Sequence, residues 1–296
     1  MKTYLDCIPC FYRQALAAAR HAGATPEKQK QVLDNLAKEL PKFPLTLSPP
    51  EMAQKVYAVV NETLGSDQND IYKEFKDKCN QLALSIYGQL KDRIASCKDS
   101  LLMAVELAIA GNIIDYGAKT SLNIDDEVRK ILNQETTKIN IESKRIFNYT
   151  EFKKILAKAK NILYLADNAG EVAFDRLLIE EILNFYPDKK IIYAVKDKPI
   201  INDALVEDAY QCGIDKLAEV ISSGSDAAGT VLSLCSPEFL KLFAQADMII
   251  SKGQGNFEAL SDEKRPIFFL FKIKCSVIAQ EIQGELGDVV LFYNNQ

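Results

Sequence analysis

Histidine is almost missing from this sequence: His21 stands alone among 296 residues. A Ser–His or Cys–His hydrolase therefore has little to work with, and a zinc site of mixed Cys and His is hard to assemble. Long apolar runs are missing too. No stretch approaches the roughly 20 apolar residues of a membrane span, and Met1-Lys2-Thr3-Tyr4-Leu5-Asp6 turns polar too early for a secretory leader. The expected location is the cytoplasm, with no membrane partner. There is no excess of positive charge: 36 Lys and Arg face 41 Asp and Glu, a net charge of −5. A nucleic-acid partner is not expected from such a balance, whereas a few local lysines suffice to hold a small phosphorylated molecule. Seven cysteines, mostly single, fit reduced thiols better than a disulfide framework. Neither an internal repeat nor a low-complexity linker is visible.

What is present divides in two. The first ~140 residues read as successive helices. Residues 11–22 are Ala-rich and stop at Gly23. Thr25-Pro26-Glu27 and Ser48-Pro49-Pro50-Glu51 are helix starts, with the hydroxyl residue at the cap and Pro in the first turn. Ile71, Phe75, Cys79, Leu82, Ile86 and Leu90 recur at helical spacing within residues 67–95, and 100–114 form a more apolar helix. From residue 160 short apolar runs appear at 161–166, 190–195, 219–221, 248–250, 266–271 and 289–292, with helical segments at 172–186, 202–213 and 237–246. Apolar strands alternating with helices predict a parallel sheet covered on both faces. The expected architecture is an α/β chain: an all-helical domain over 1–145 and a doubly wound, mostly parallel, Rossmann-like α/β/α domain over 146–296.

Ligands of open parallel sheets bind beyond the carboxyl ends of the strands. There the sequence delivers Asp167-Asn168-Ala169-Gly170-Glu171, then Lys196-Asp197-Lys198-Pro199 with Asn202-Asp203. Further on come Ser222-Ser223-Gly224-Ser225-Asp226, Ser251-Lys252-Gly253-Gln254-Gly255-Asn256 and Lys272-Ile273-Lys274. Oxygen donors suit Mg²⁺ or Mn²⁺, and lysines with loop N–H groups suit phosphate. Asp167 and Asn168 can both turn oxygens to one ion, or one of them can simply cap the following helix; Asp203 has the same two readings. The Gly-rich 251–256 segment lacks the closing Gly-Lys-Ser/Thr of a Walker sequence and the spacing of a dinucleotide fingerprint, so a plain turn is the alternative.

Two features lie outside the strand ends. Cys7-Ile8-Pro9-Cys10 is a Cys-x-x-Cys pair without a second pair, opening a helical region instead of following a strand. Packing or a local metal role is expected before redox catalysis. Asn112 and Asp115, three apart in an apolar helix, share one face and either bond across to the sheet region or close over the site.

Taken in order, these segments resemble a known family. Cys7-Ile8-Pro9-Cys10 with Arg13-Gln14, Ser48-Pro49-Pro50, Gly111-Asn112-x-x-Asp115, Asp167-Asn168-Ala169-Gly170-Glu171 and Lys196-x-x-Pro199-x-x-Asn202-Asp203 come first. Ser223-Gly224-Ser225-Asp226, Lys252-Gly253-Gln254-Gly255-Asn256 and Lys274-Cys275 complete the set. The chain resembles the metal-dependent damage-control phosphatases, domain of unknown function eighty-nine, in the prokaryotic branch with an N-terminal Cys-x-x-Cys. The resemblance implies an ion (Mn²⁺, Co²⁺, Ni²⁺ or Mg²⁺) on Asp167, Asn168 and Asp203, and hydrolysis of phosphate monoesters such as sugar phosphates or damaged metabolites. Asn202 stands where some relatives carry Ser. Phosphate-contacting or supporting roles are expected for Asn112, Asp115, Asp226, Lys252, Asn256 and Lys274, and Glu171 or Asp203 is expected to take a proton from the attacking water. A phospho-Asp167 intermediate is the competing route. The competing functions are an S-adenosylmethionine-dependent carboxyl methyltransferase, against which stands the missing Gly-x-Gly-x-Gly loop after the first strand, and a non-enzymatic metal- or sugar-phosphate-binding protein.

Overall fold

The computed structural model describes residues 1–65, 70–111 and 145–294. Its N-terminal helices are α1 (Ile8–His21), α2 (Pro26–Glu39), α3 (Pro49–Leu64), α4 (Lys73–Ser96) and α5 (Ser100–Ala110). The start signals act as the sequence implies. The Thr25 side chain accepts from Lys28 N, and Ser48 and Glu51 form a reciprocal capping box. Asn112 and Asp115, with the expected end of α5, lie outside the described residues.

The second part runs α6 (Tyr149–Lys158), β1 (Asn161–Leu165), α7 (Glu171–Phe185), β2 (Lys190–Val195), α8 (Val206–Gln211), β3 (Glu219–Ser222), α9 (Pro237–Gln245), β4 (Met248–Lys252), α10 (Gln254–Leu260), β5 (Ile267–Lys272), α11 (Ser276–Glu281) and β6 (Val289–Asn294). The six strands stand in the order β3-β2-β1-β4-β5-β6. All pair in parallel except β6, which runs antiparallel to β5.

Strand alternation sorts the core into two layers. Ile162, Tyr164, Tyr193, Ile250 and Leu270 face α4, α5, α6 and α7 in one buried cluster. Leu163, Leu165, Ile249, Phe269 and Phe271 face α9, α10 and α11 in another. A sheet buried on both faces explains why its strands read as continuous apolar runs. A third cluster joins α1, α2 and α3, and it takes in the buried Ile200 from the far half of the sequence, with Ile201 and Ala228 packed against it.

Helices α6, α10 and α11 are additions to the sequence reading, and one expected helix starts later than read. Residues 202–205 are not helical, and α8 begins only at Val206. Asp203 pairs instead with Asn168 as an isolated antiparallel bridge, and Leu205 N is capped by the Asp208 carboxylate. Asp203 is thus a bridge residue, not a helix cap.

Candidate active site

The strand order reverses at β1: the chain first winds outward through β2 and β3, then returns to place β4 on the other side of β1. The loops leaving β1 and β4 therefore start at the topological switch point, where doubly wound sheets bind ligands in a crevice. Asp167 and Asn168 follow β1, and Lys252 and Gly253 end β4.

Asp167 sits directly on Gly253. A Cβ built on that glycine would stand 2.1 Å from Asp167 Cγ, and Gly253 has φ +84°. The Gly-rich segment is therefore no free turn. Ser251 and Lys252 belong to β4, Gln254 already begins α10, and Gly253 alone makes the join. Nor do Asp167 and Asn168 stand at the cap of α7: its N-cap is Gly170, whose N–H is taken by the Asn80 side chain of α4. The capping alternative is thereby removed for this pair.

Asn168 Nδ2 donates to Asp167 Oδ2 at 2.9 Å and to Glu171 Oε1 at 3.0 Å. With both amide hydrogens directed at carboxylates, its oxygen is turned the other way. Asp203 is brought alongside by the bridge to Asn168 and by the bond from Ala204 N to Asp167 O at 2.8 Å. Burial, followed by the neighbouring charges of Glu171 and Asp203, pushes the Asp167 carboxyl well above its usual range, while Lys274 and Lys196 pull it back. Such crowding of acids is relieved by a cation. The buried Lys196 is one partner, with Nζ 3.7 Å from Asp203 Oδ2 and 3.5 Å from Asn256 Oδ1. The sequence had placed Lys196 at a strand end without giving it a role.

The other expected site residues divide. Lys274 is exposed and close enough for its charge to act on Asp167. Lys252 turns inward in place of the expected phosphate contact: Nζ lies 2.6 Å from Asp175 Oδ1 and 3.2 Å from Glu171 Oε2, fully buried. Asn256 is buried and engaged on both sides. It donates to Ala166 O at 2.9 Å and Lys252 O at 2.7 Å, and accepts from Thr230 N and Oγ1 at 2.7 and 2.8 Å. It thereby ties the ends of β1 and β4 to the 223–230 loop. Asp226, on that loop, is held by Gln54 of α3. The loop itself is wedged between α10 and α3, for a Cβ on Gly229 would stand 2.7 Å from Gly255 O and 3.0 Å from Pro50 Cγ.

A set of polar residues behind the loop escaped the sequence reading. Lys76 and Asn80, one turn apart on α4, are both buried. Asn80 Oδ1 accepts from Gly170 N at 2.6 Å, and its Nδ2 donates to Asp208 Oδ1 at 2.9 Å and Gln211 Oε1 at 2.8 Å. Lys76 bridges Asp70 and Asp208 at 2.8 and 2.9 Å. The available signal was the i, i+4 spacing of two polar residues beside the apolar stripe of α4.

Cys7 immediately precedes α1 and Cys10 lies in its first turn, both with free thiols. Burial pushes the Cys7 thiol up, the reverse of an activated redox cysteine. Arg13 Nη2 donates to Cys10 Sγ at 3.1 Å.

Among the described residues, no three His, Cys, Asp or Glu side chains converge tightly enough to cage an ion by themselves. Asp167, Asn168 and Asp203 are hard oxygen donors by type, two carboxylates and an amide. That suits a cation that keeps water or substrate oxygens in its shell, as Mg²⁺-type ions do. No described helix is long and apolar enough to cross a membrane.

Known proteins resemble the chain over nearly its whole length. The sequence profile described as "Damage-control phosphatase ARMT1-like domain" matches residues 3–290. A protein of Methanocaldococcus jannaschii is 37% identical over 97% of this chain and 93% of its own length. The damage-control phosphatase PH1575 of Pyrococcus horikoshii is 35% identical over 99% of both, and a damage-control phosphatase of Archaeoglobus fulgidus is 36% identical over 81% of this chain and 80% of its own. The crystal structure of a DUF89 family protein from P. horikoshii superposes with a TM-score of 0.87 at 33% identity, covering 99% of each chain. The helical segment packed on the sheet thus has its counterpart in a known structure, and the chain belongs to the damage-control phosphatase family with the ARMT1-like domain.

Proposed function

We propose that this chain hydrolyses phosphate monoesters of small metabolites with the help of a divalent ion, Mn²⁺, Co²⁺, Ni²⁺ or Mg²⁺, held by Asp167, Asn168 and Asp203. The observation that carries the reading is the bridge that lays Asp203 beside Asn168 at the switch point, next to an Asp167 carboxyl driven up by neighbouring acids. When bound, the ion supplies Lewis-acid polarisation of the phosphoryl group and a water of lowered pKa.

The chain's own residues supply the rest. Lys274 at the open side and Lys196 at the floor offset negative charge on the phosphoryl oxygens, as positioned cations do in phosphoryl transfer. Glu171 has one oxygen on Asn168 and the other on Lys252, which favours Asp203 as acceptor of the water's proton. Asn256 frames the crevice by fixing its two walls, and Asp226 takes its place on the loop that meets α3. Sugar phosphates or damaged phosphometabolites are the substrate class, since the curated relatives with 35–36% identity carry the damage-control name. Methyl transfer receives less support. The β1–α7 turn is filled by Asn168 and Glu171 bonded to each other, where a nucleoside cofactor needs open backbone.

The test is hydrolysis of p-nitrophenyl phosphate by chelator-stripped protein with each ion restored in turn. Metal-dependent release is expected in the wild type, with loss of at least about 100-fold in Asp167→Ala at an unchanged circular dichroism spectrum. Full activity in Asp167→Ala would overturn the assignment.

A further inference from the structure

We propose that the buried Asp175–Lys252 pair is a positioning device for the metal centre, holding Glu171 in the attitude that fixes Asn168. The inference rests on Asp167, Asn168 and Asp203 being the ion's ligands.

Glu171 and Asp175 lie one turn apart on α7 and face the same side. Both are almost completely buried, so two like charges share a region of low dielectric. Lys252, from β4, stands between them and leans on Asp175, at 2.6 Å against 3.2 Å for Glu171. Asp175 cannot turn. The Tyr164 hydroxyl donates to its Oδ1 and the Tyr193 hydroxyl to its Oδ2, both at 2.8 Å. These tyrosines are partners in the β1–β2 register and their rings stack. Burial and the Asp175 charge hold both phenols protonated, and the carboxylates outweigh burial in keeping Lys252 charged.

The order of contacts is therefore continuous. Two tyrosines fix Asp175, Asp175 fixes Lys252, Lys252 holds Glu171 Oε2, and Glu171 Oε1 takes the amide hydrogen of Asn168. Without Asp175, Lys252 has Glu171 as its remaining carboxylate and draws it away from Asn168. The amide then loses one of its two carboxylate partners, keeping Asp167, and its orientation loosens. Neither Asp175 nor Lys252 reaches a ligand atom, so both act through Glu171. A pair kept for stability alone is replaceable by apolar residues of similar volume; a positioning pair is not.

The experiment compares Asp175→Asn, Lys252→Met and the double variant by calorimetric Mn²⁺ titration of chelator-stripped protein, by melting temperature and by p-nitrophenyl phosphate kinetics. Asp175→Asn is expected to bind Mn²⁺ about 10- to 100-fold more weakly and to lose kcat to a similar degree, with KM within about threefold of wild type. The double variant, which leaves the buried Glu171 without its lysine, is expected to regain no Mn²⁺ affinity. Wild-type affinity in Asp175→Asn, or recovery of affinity in the double variant, would overturn the proposal. Should Asp175→Asn not fold, Tyr193→Phe keeps the ion pair, and affinity reduced about threefold or more is then expected; no reduction counts against the proposal. Wild type that binds Mn²⁺ without hydrolysis removes the phosphatase reading while affinity still decides the role of Asp175, and wild type that binds no Mn²⁺ removes both.

Discussion

At Gly253 the chain forgoes a side chain so that Asp167 can occupy the space. Gly253→Ala therefore meets two penalties at once, a left-handed φ and a methyl group inside the Asp167 carboxylate. A loss of about 1–3 kcal/mol of stability in chemical denaturation is expected, with metal-restored hydrolysis falling further than stability does. An active Gly253→Ala enzyme would show that the Asp167 carboxylate need not sit where it does. Residues of this kind were partly legible. Asp167 and Asn168 stood out as an acid and an amide side by side at a strand end, whereas Asp203 was singled out as a ligand of the same ion only by the family resemblance. The inward turn of Lys252 did not. All of β4 is buried on both faces, so alternation carries no information about which side a strand-end lysine takes. Its commitment to Asp175 depends on α7, some 80 residues distant in sequence.

Among the described elements, α4 bonds to the turn that carries Asn168 without supplying a candidate ligand. Its Asn80 accepts the Gly170 N–H of the β1–α7 turn and donates to α8. Asn80→Ala leaves Gly170 N and Asp208 short of partners, at a cost of about 1–3 kcal/mol. Faster amide exchange at Gly170 is expected alongside a lower melting temperature; unchanged exchange would mean that the turn holds itself. The strands were readable because apolar runs bounded by polar residues have few alternatives, and the helix starts at Thr25 and Ser48 because hydroxyl caps followed by Pro are locally encoded. The 196–205 segment was not. Its conformation includes Ile201 at φ +40°, which no local preference requires, and it is imposed by the bridge to Asn168 and by the burial of Ile200 among helices near the start of the chain.

At the scale of the whole molecule, the first residue is tied to the last helices of the sheet. The Met1 ammonium bonds Glu258 O at 3.0 Å and pairs with Asp262 at 3.0 Å. Glu258 itself, next to Gln254, is pushed up to about 7 from 4.5, chiefly by burial, against the pull of the Gln254 amide, the N-terminus and Lys274. Between those two values the folded protein binds more protons than the unfolded one, so this group's contribution falls as pH rises through 7. Glu258→Gln should therefore stabilise the protein by about 1–3 kcal/mol at pH 8 and leave it unchanged below pH 4.5. Thermal melts across that range read the difference, and an equal shift at both ends would place its origin elsewhere. The burial of Ile200 in the α1–α3 cluster has a consequence for how the protein comes into being. Asp167 and Asn168 are placed by the sheet, but Asp203 is three residues from a side chain anchored in helices made first on the ribosome. A chain whose helical segment has not docked lacks that anchor near Asp203 and also the Asn80 bond to the turn that carries Asn168. Tight uptake of the ion would then mark completed assembly, and an unfinished chain would be spared from sequestering it.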